Sequence, residues 1–258
     1  MSSIISGQDE ASTAALASAL VEARRSGKRI RSVGDDLVPA GIAEAIAVQS
    51  AVAAMLGEEP GGWKISIAPQ GRVAAPMYRS GMLASGGTRV VRDGFFAIEV
   101  EFAVRLKRDL VVPVGTSLDR AEVLDAVDTL LVGIELIESR LEDHPNQPFM
   151  AFLADNIANG GYVTGTERPF DGSADLTGRH CRVDLDGAVL FDAPAVHGNG
   201  DPLVPLVECV GVVGSAMGGW RTGQVITTGS ICGVVPVTAK GRITASISGI
   251  GEATVALV

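Results

Sequence analysis

The run Ala97-Ile-Glu-Val-Glu-Phe-Ala-Val-Arg-Leu106 decides what kind of body this chain builds. Its β-branched and aromatic residues and its two-residue alternation predict a strand. Glu99 and Glu101 then leave one face of the strand, while Ile98, Val100 and Phe102 leave the other. Two like charges on one face of an otherwise apolar strand repel and lose solvation unless a cation joins them; a solvent-facing edge is the plainer alternative. A second run, Leu130-Leu-Val-Gly-Ile-Glu-Leu-Ile-Glu-Ser-Arg140, sets Glu135 among apolar residues. Glu is almost never fully buried unpaired. Glu138 and Arg140 can pair with each other at the strand end, but Glu135 has no such local partner. Glu99, Glu101 and Glu135 together make a hard oxygen site suited to Mg²⁺ or Mn²⁺, with positions left open for substrate oxygens.

Outward from these runs, the chain divides near residue 60. Before it, apolar residues recur at helical spacing: Ala15, Leu16, Ala19, Leu20 and Ala23, then Ile42, Ala45, Ile46, Ala53 and Leu56. Ser12 and Thr13 suit the start of the first helix, and Arg24, Arg25 and Gly27 its end; Gly57 closes the second. After Gly61 the pattern becomes short strands, expected at 62–67, 88–92, 97–106, 131–138, 160–164, 181–186, 224–228, 233–237, 242–248 and 253–257. Asp186-Gly187 is a hairpin-turn signal. Helices are expected at 119–128 and 202–218, the latter opened by Asp201-Pro202. Helices first and a mostly β body after give an α+β fold, with a helical region over 1–60 and a β-rich region over 61–258 in one continuous domain.

Other groups can converge on the same site. Lys64, after Gly61-Gly62 in an apolar strand, is suited to proton transfer if desolvated, or else is a snorkelling surface lysine. Asp155, in Ala154-Asp-Asn-Ile-Ala-Asn-Gly-Gly161, lies in a polar loop entering a strand and is open to ordinary turn chemistry as well. Thr227-Thr228-Gly229-Ser230 offers hydroxyls and backbone N–H groups to a carboxylate, or forms a simple hydroxyl turn. No phosphate-binding loop and no G-x-S-x-G elbow occurs. His144, His180 and His197 lack metal-ligand spacing, and Cys181, Cys209 and Cys232 read as buried thiols of a reducing cytoplasm. With 30 acidic against 21 basic residues, a net charge of −9 disfavours nucleic acid. The apolar stretches are too short to span a bilayer, and no secretory signal is visible.

The order and spacing of these segments resemble the fumarylacetoacetate hydrolase-like superfamily, in its 2-keto-4-pentenoate hydratase and 4-oxalocrotonate decarboxylase branch. Gly62-Trp-Lys-Ile, Ile98-Glu-Val-Glu-Phe-Ala, Ile134-Glu-Leu-Ile-Glu-Ser-Arg, Ala154-Asp-Asn-Ile-Ala-Asn-Gly, Arg221-Thr-Gly-Gln-Val-Ile-Thr-Thr-Gly-Ser and the closing Gly249-Ile-Gly-Glu carry the resemblance. It implies a mixed β-sheet roll with flanking helices, and Mg²⁺ or Mn²⁺ on Glu99, Glu101 and Glu135. It also implies catalytic roles for Lys64 and Asp155, and Thr228, Gly229 and Ser230 against the substrate carboxylate. The implied activity is hydration of a 2-hydroxydienoate such as 2-hydroxypenta-2,4-dienoate, by a cytoplasmic homo-oligomer of aromatic-compound catabolism. Decarboxylation of a 2-oxo acid, C–C hydrolysis of an acylpyruvate, or a fold kept without catalysis are the alternatives. The branch's hydratases usually carry an acid before the E-x-E strand; Pro76-Met-Tyr-Arg-Ser-Gly-Met82 has none, with Ser80 or Gly81 near the expected place.

Overall fold

The computed structural model describes residues 7–92, 96–143 and 146–258. The N-terminal helices are α1 (Gly7–Ser26) and α2 (Ile42–Leu56), as the periodicity predicts. Gly57 ends α2 in the left-handed conformation, and the N–H groups of Gly57 and Glu58 bond back to Ala54 and Ala53 carbonyls. The described β body forms two sheets. The eight-stranded one runs β2 (Gly71–Tyr78), β1 (Pro60–Ala68), β10 (Val225–Ser230), β5 (Ala97–Leu106), β6 (Val127–Ile137), β7 (Asn159–Pro169), β3 (Met82–Ala84), with β11 (Val235–Pro236) on β5. The five-stranded one runs β4 (Gly87–Arg89), β13 (Gly251–Leu257), β12 (Gly241–Ile247), β8 (His180–Leu185), β9 (Ala188–Pro194).

Alternation along the strands separates two apolar layers. Ile98, Val100 and Phe102 of β5, with Val132 and Ile134 of β6, face the second sheet and join Val183, Ile243, Ala245 and Val255 in the main core. Helices α1, α2 and α4 (Phe149–Ala154) build a separate core with Val73 and Leu141. The other face of the large sheet carries two small apolar clusters, Met77, Ala103, Leu131, Tyr162 and Val225 in one and Ala97 and Ile137 with Ala158 in the other. Lys64, Glu99, Glu101 and Glu135 lie on that same face.

Two helix expectations are corrected. The helix at 119–128 is α3 (Arg120–Asp125) alone, opened by a reciprocal Asp119–Glu122 capping box, and Val127 already belongs to β6. Of the helix at 202–218 only α5 (Val204–Glu208) and a 3₁₀ turn at Ala216–Gly218 form. Gly214, Gly218 and Gly219 all take positive φ there, which an α-helix does not accommodate. Strand β2 is an addition. Pro76 argues against a strand in sequence, but β2 is an edge strand, where a missing N–H costs no ladder bond.

Candidate metal centre

Strand register decides which side chains meet. Glu99 lies opposite Glu135, and Glu101 opposite Gly133. Tyr162 is opposite Glu135 on the other side of β6. On β10, Thr227 faces Ala103 and Ser230 faces Glu101, with a bulge between them; Lys64 on β1 lies beside Thr227. Opposed residues share a face of a sheet. Lys64, Glu99, Glu101, Glu135, Tyr162, Thr227 and Ser230 therefore rise from the same side, and the bulge lets Thr227 and Ser230, three residues apart, both do so.

One oxygen from each of Glu99, Glu101 and Glu135 lies within 4.8 Å of the others. Glu101 and Glu135 are buried and Glu99 is partly exposed, so the centre opens on the Glu99 side. The Lys64 ammonium is 2.7 Å from Glu135 Oε2 and donates to the Ile157 carbonyl at 3.2 Å. Asn159 Nδ2 donates to Glu135 Oε1 at 2.8 Å, and the Thr227 hydroxyl donates to Glu101 Oε2. Glu101 Oε1 is buried with no hydrogen-bond partner. An acceptor left so, in a cluster of hard oxygens, fits a divalent cation. Charge agrees: three carboxylates against one ammonium leave two negative charges uncompensated.

Burial pushes the Glu99 carboxyl up to about 7, with Lys64 opposing and Glu135 adding to the rise. Burial, then Glu135 and Glu99, push Glu101 well above the usual carboxylate range. Burial alone lowers an ammonium, but Glu135, Glu99 and Glu101 outweigh it and hold Lys64 above the ordinary lysine value. Two glycines make this geometry. A Cβ on Gly62 would lie 2.2 Å from the Val225 carbonyl oxygen, so only glycine lets β1 approach β10 beside Lys64. A Cβ on Gly133 would lie 2.1 Å from the Tyr162 hydroxyl, which occupies that space.

The remaining expected residues take different places. Asp155 is wholly buried and accepts from Ser139 Oγ (3.0 Å), the Arg140 amide (2.9 Å) and Arg140 Nε. It opens the left-handed turn Asn156-Ile157-Ala158, with φ of 55°, 50° and 56°, which aims the Ile157 carbonyl at Lys64. Three non-glycine residues in that region store strain where the site needs a fixed acceptor. Thr228 turns away and donates to the Phe102 carbonyl (3.0 Å), while Ser230 donates to the Gly233 carbonyl (3.1 Å). Gly229, at φ 113°, leaves room for His197, whose Nε2 would lie 3.3 Å from a Cβ there. Glu138 and Arg140 do not pair side chain to side chain as expected: Glu138 meets Arg89, and Arg140 meets Asp155. His144 lies outside the described residues. Met77, in the stretch lacking an acid, is buried on the site's own face. Sequence reasoning missed Asn159 and Tyr162; Gly133 inside an apolar strand was the available signal for the latter.

Known proteins match the chain in fold and in sequence. The structure superposes with a TM-score of 0.79 on 4-oxalocrotonate decarboxylase from Pseudomonas putida G7, complexed with magnesium and adipate, at 22% identity over 95% of this chain and 97% of that one. The fold is fumarylacetoacetate hydrolase-like. By sequence, the chain is 29% identical to "2-keto-4-pentenoate hydratase" of Paraburkholderia phymatum over 60% of this chain, a match spanning 58% of that relative's length. It is 29% identical to "2-keto-4-pentenoate hydratase 1" of Dechloromonas aromatica over 93% of this chain and 95% of that one. No family model matches the chain. The resemblance drawn from the residue order is thus borne out in both fold and homologues. Among the described residues, no helix is long and apolar enough to cross a membrane.

Proposed function

We propose that the protein is a metal-dependent hydro-lyase of a small 2-hydroxydienoate acid such as 2-hydroxypenta-2,4-dienoate, with Mg²⁺ or Mn²⁺ on Glu99, Glu101 and Glu135. The observation that carries this is the convergence of three carboxylates, two of them buried, beside Lys64. A divalent cation bound there supplies Lewis-acid stabilisation of the charge that develops on a 2-oxo acid's oxygens as its enolate forms. The chain's own groups do the rest. Asn159 and Thr227 hold Glu135 and Glu101 in place by donating to them, so both stay acceptors toward a cation. Lys64, held by Glu135 and the Ile157 carbonyl, is placed to carry a proton between solvent and the substrate's carbon chain. Asp155 acts one step back, fixing the turn that positions Ile157. Gly229 and Ser230, at the Glu101 end of β10, present the backbone and hydroxyl against which the substrate carboxylate rests.

The stretch Pro76–Met82 favours a second reading. It carries no acid, with Ser80 or Gly81 near the place where the hydratases usually have one; this removes a group that could deliver water to the alkene, and decarboxylation of a 2-oxo acid needs no such group. C–C hydrolysis has less support: Glu142, one of its two candidate bases, is exposed beside Arg31. The reading extends to one continuous domain, to a homo-oligomer, and to aromatic-compound catabolism in the cytoplasm. The shared core of α1, α2 and Val73 supports the first. Presenting the Mg²⁺-loaded protein with 2-hydroxypenta-2,4-dienoate, oxaloacetate and an acylpyruvate in parallel tests the reaction. Water addition to the dienoate, lost in Glu99→Ala, is expected; turnover confined to the acylpyruvate overturns the reading.

A further inference from the structure

A charged cavity is lined by residues other than the three carboxylates of the metal centre. It encloses about 570 Å³ between the C-terminal end of α1, the β2–β3 connection and the start of β7. Six arginines line it, Arg24, Arg25, Arg29, Arg89, Arg92 and Arg140, against two carboxylates, Glu58 and Glu138. The chain as a whole carries −9, so this concentration of cations runs against its overall charge.

Both lining carboxylates are engaged. Glu138 pairs with Arg89, and Glu58 accepts from Ser80. Arg140 is committed to Asp155 and to the Asn159 carbonyl, at 2.8 Å. Arg24 is not matched in this way. Its Nε and Nη2 are buried without hydrogen-bond partners, and Asp155 Oδ1 stands 3.7 Å from Nη2, beyond hydrogen-bonding reach. Its guanidinium stacks over Tyr78, with 5.4 Å from the central carbon to the ring centroid, which fixes the plane of the fork. Burial and then Arg140 pull Arg24 down to about 10, against Asp155, as expected of a cation short of counter-charge. Arg92 lies across the end of the helix, with Nη1 donating to the Arg24 carbonyl at 2.8 Å. Arg25 contributes a further charge on the exposed side, with Nη2 held by the Met55 carbonyl at 3.3 Å.

A buried guanidinium with open donors costs several kcal/mol in isolation, and a carboxylate meets its fork geometry. The volume falls within the roughly 300–1,000 Å³ of small-molecule sites. We propose that this cavity binds a small organic anion carrying two or more carboxylates, with Arg24, Arg25 and Arg92 as its contacts. The anion is either a separate metabolite or the remote acid group of the substrate itself. Asn159 makes the second source structurally open, because it lines the cavity and also donates to Glu135.

The experiment is isothermal titration of succinate and citrate, with acetate as control, into protein stripped of metal on a chelating resin. One citrate per chain is expected, weakened about tenfold or more in Arg24→Gln and in Arg92→Gln, as loss of a charged hydrogen bond requires. Glu101→Gln should leave it unchanged. The Arg25→Gln/Arg92→Gln pair, both at exposed side chains, carries the test if Arg24→Gln does not fold. In Mn²⁺-loaded protein, succinate displaced by a dicarboxylic 2-oxo acid but not by pyruvate assigns the anion to the substrate's remote end. Succinate displaced by neither assigns it to a separate metabolite. Absence of citrate and succinate binding to the parent, or undiminished binding in the double variant, overturns the proposal. Neither result bears on the carboxylate centre, whose metal binding is read on different residues.

Discussion

Replacing Lys64 by Met removes the ammonium that Glu135 holds at 2.7 Å among three clustered carboxylates. Lysine and methionine have similar length, so charge rather than volume is lost. Breaking a buried ion pair by removing one partner costs about 3–5 kcal/mol, because the other charge stays buried and unpaired. Lys64 is only 8% exposed, so solvent screening takes little from that figure. For a chain of this size the loss corresponds to a fall in Tm of roughly 6–20 °C. The carboxylates limit the damage only by taking up protons. Divalent cation acts in the opposite direction, and the fewer positive charges the protein supplies, the more a bound cation is worth. Thermal and urea unfolding of parent and Lys64→Met, each with and without saturating Mn²⁺, separates the two effects. Metal should stabilise the variant by more than it stabilises the parent. Equal stability of the two in metal-free buffer, or an equal gain from Mn²⁺, would refute the electrostatic account of this site.

Three further outcomes follow from the same geometry. Gly133→Ala sets a Cβ 2.1 Å from the Tyr162 hydroxyl, so the ring must move or β6 must shift; a loss of about 1–3 kcal/mol in urea unfolding is expected. Asp155→Ala strips Arg140 of its buried carboxylate and should cost about 3–5 kcal/mol, while a Tm within a degree or two of the parent would remove Asp155 from the scaffold. Glu99 in metal-free protein is raised to about 7, above its unfolded value, so its stabilising contribution is present at low pH and lost as pH rises through 7. The contribution of this site to Tm should therefore decline between about pH 4.5 and 7 without metal and level off above, a decline that Glu99→Gln removes.

The two N-terminal helices and the strands that carry Glu99, Glu101, Glu135 and Lys64 were legible because their side-chain patterns have one clear period. Stretches without such a pattern were misread. Residues 202–218 are apolar enough for a helix, but the positive φ at Gly214, Gly218 and Gly219 is set by packing that no local pattern encodes. Within the site, alternation placed Glu99 and Glu101 on one face, yet it could not tell Thr227 from Thr228. A bulge between Thr227 and Ser230 resets the parity, so Thr227 meets Glu101 and Thr228 meets the Phe102 carbonyl. Asn159 escaped notice for a related reason. Its role depends on the left-handed turn before it, and three consecutive positive φ values at Asn156, Ile157 and Ala158 have no glycine to announce them.

The central claim is that three carboxylates from β5 and β6 bind one divalent cation, and Mn²⁺ titration followed by electron paramagnetic resonance tests it most directly. The parent should bind one Mn²⁺ per chain, with Mg²⁺ competing. Glu99→Ala and Glu135→Ala should each weaken binding by at least an order of magnitude, while Glu138→Ala, whose carboxylate serves Arg89, leaves it unchanged. Mn²⁺ bound as tightly by Glu99→Ala and Glu135→Ala as by the parent would contradict the account.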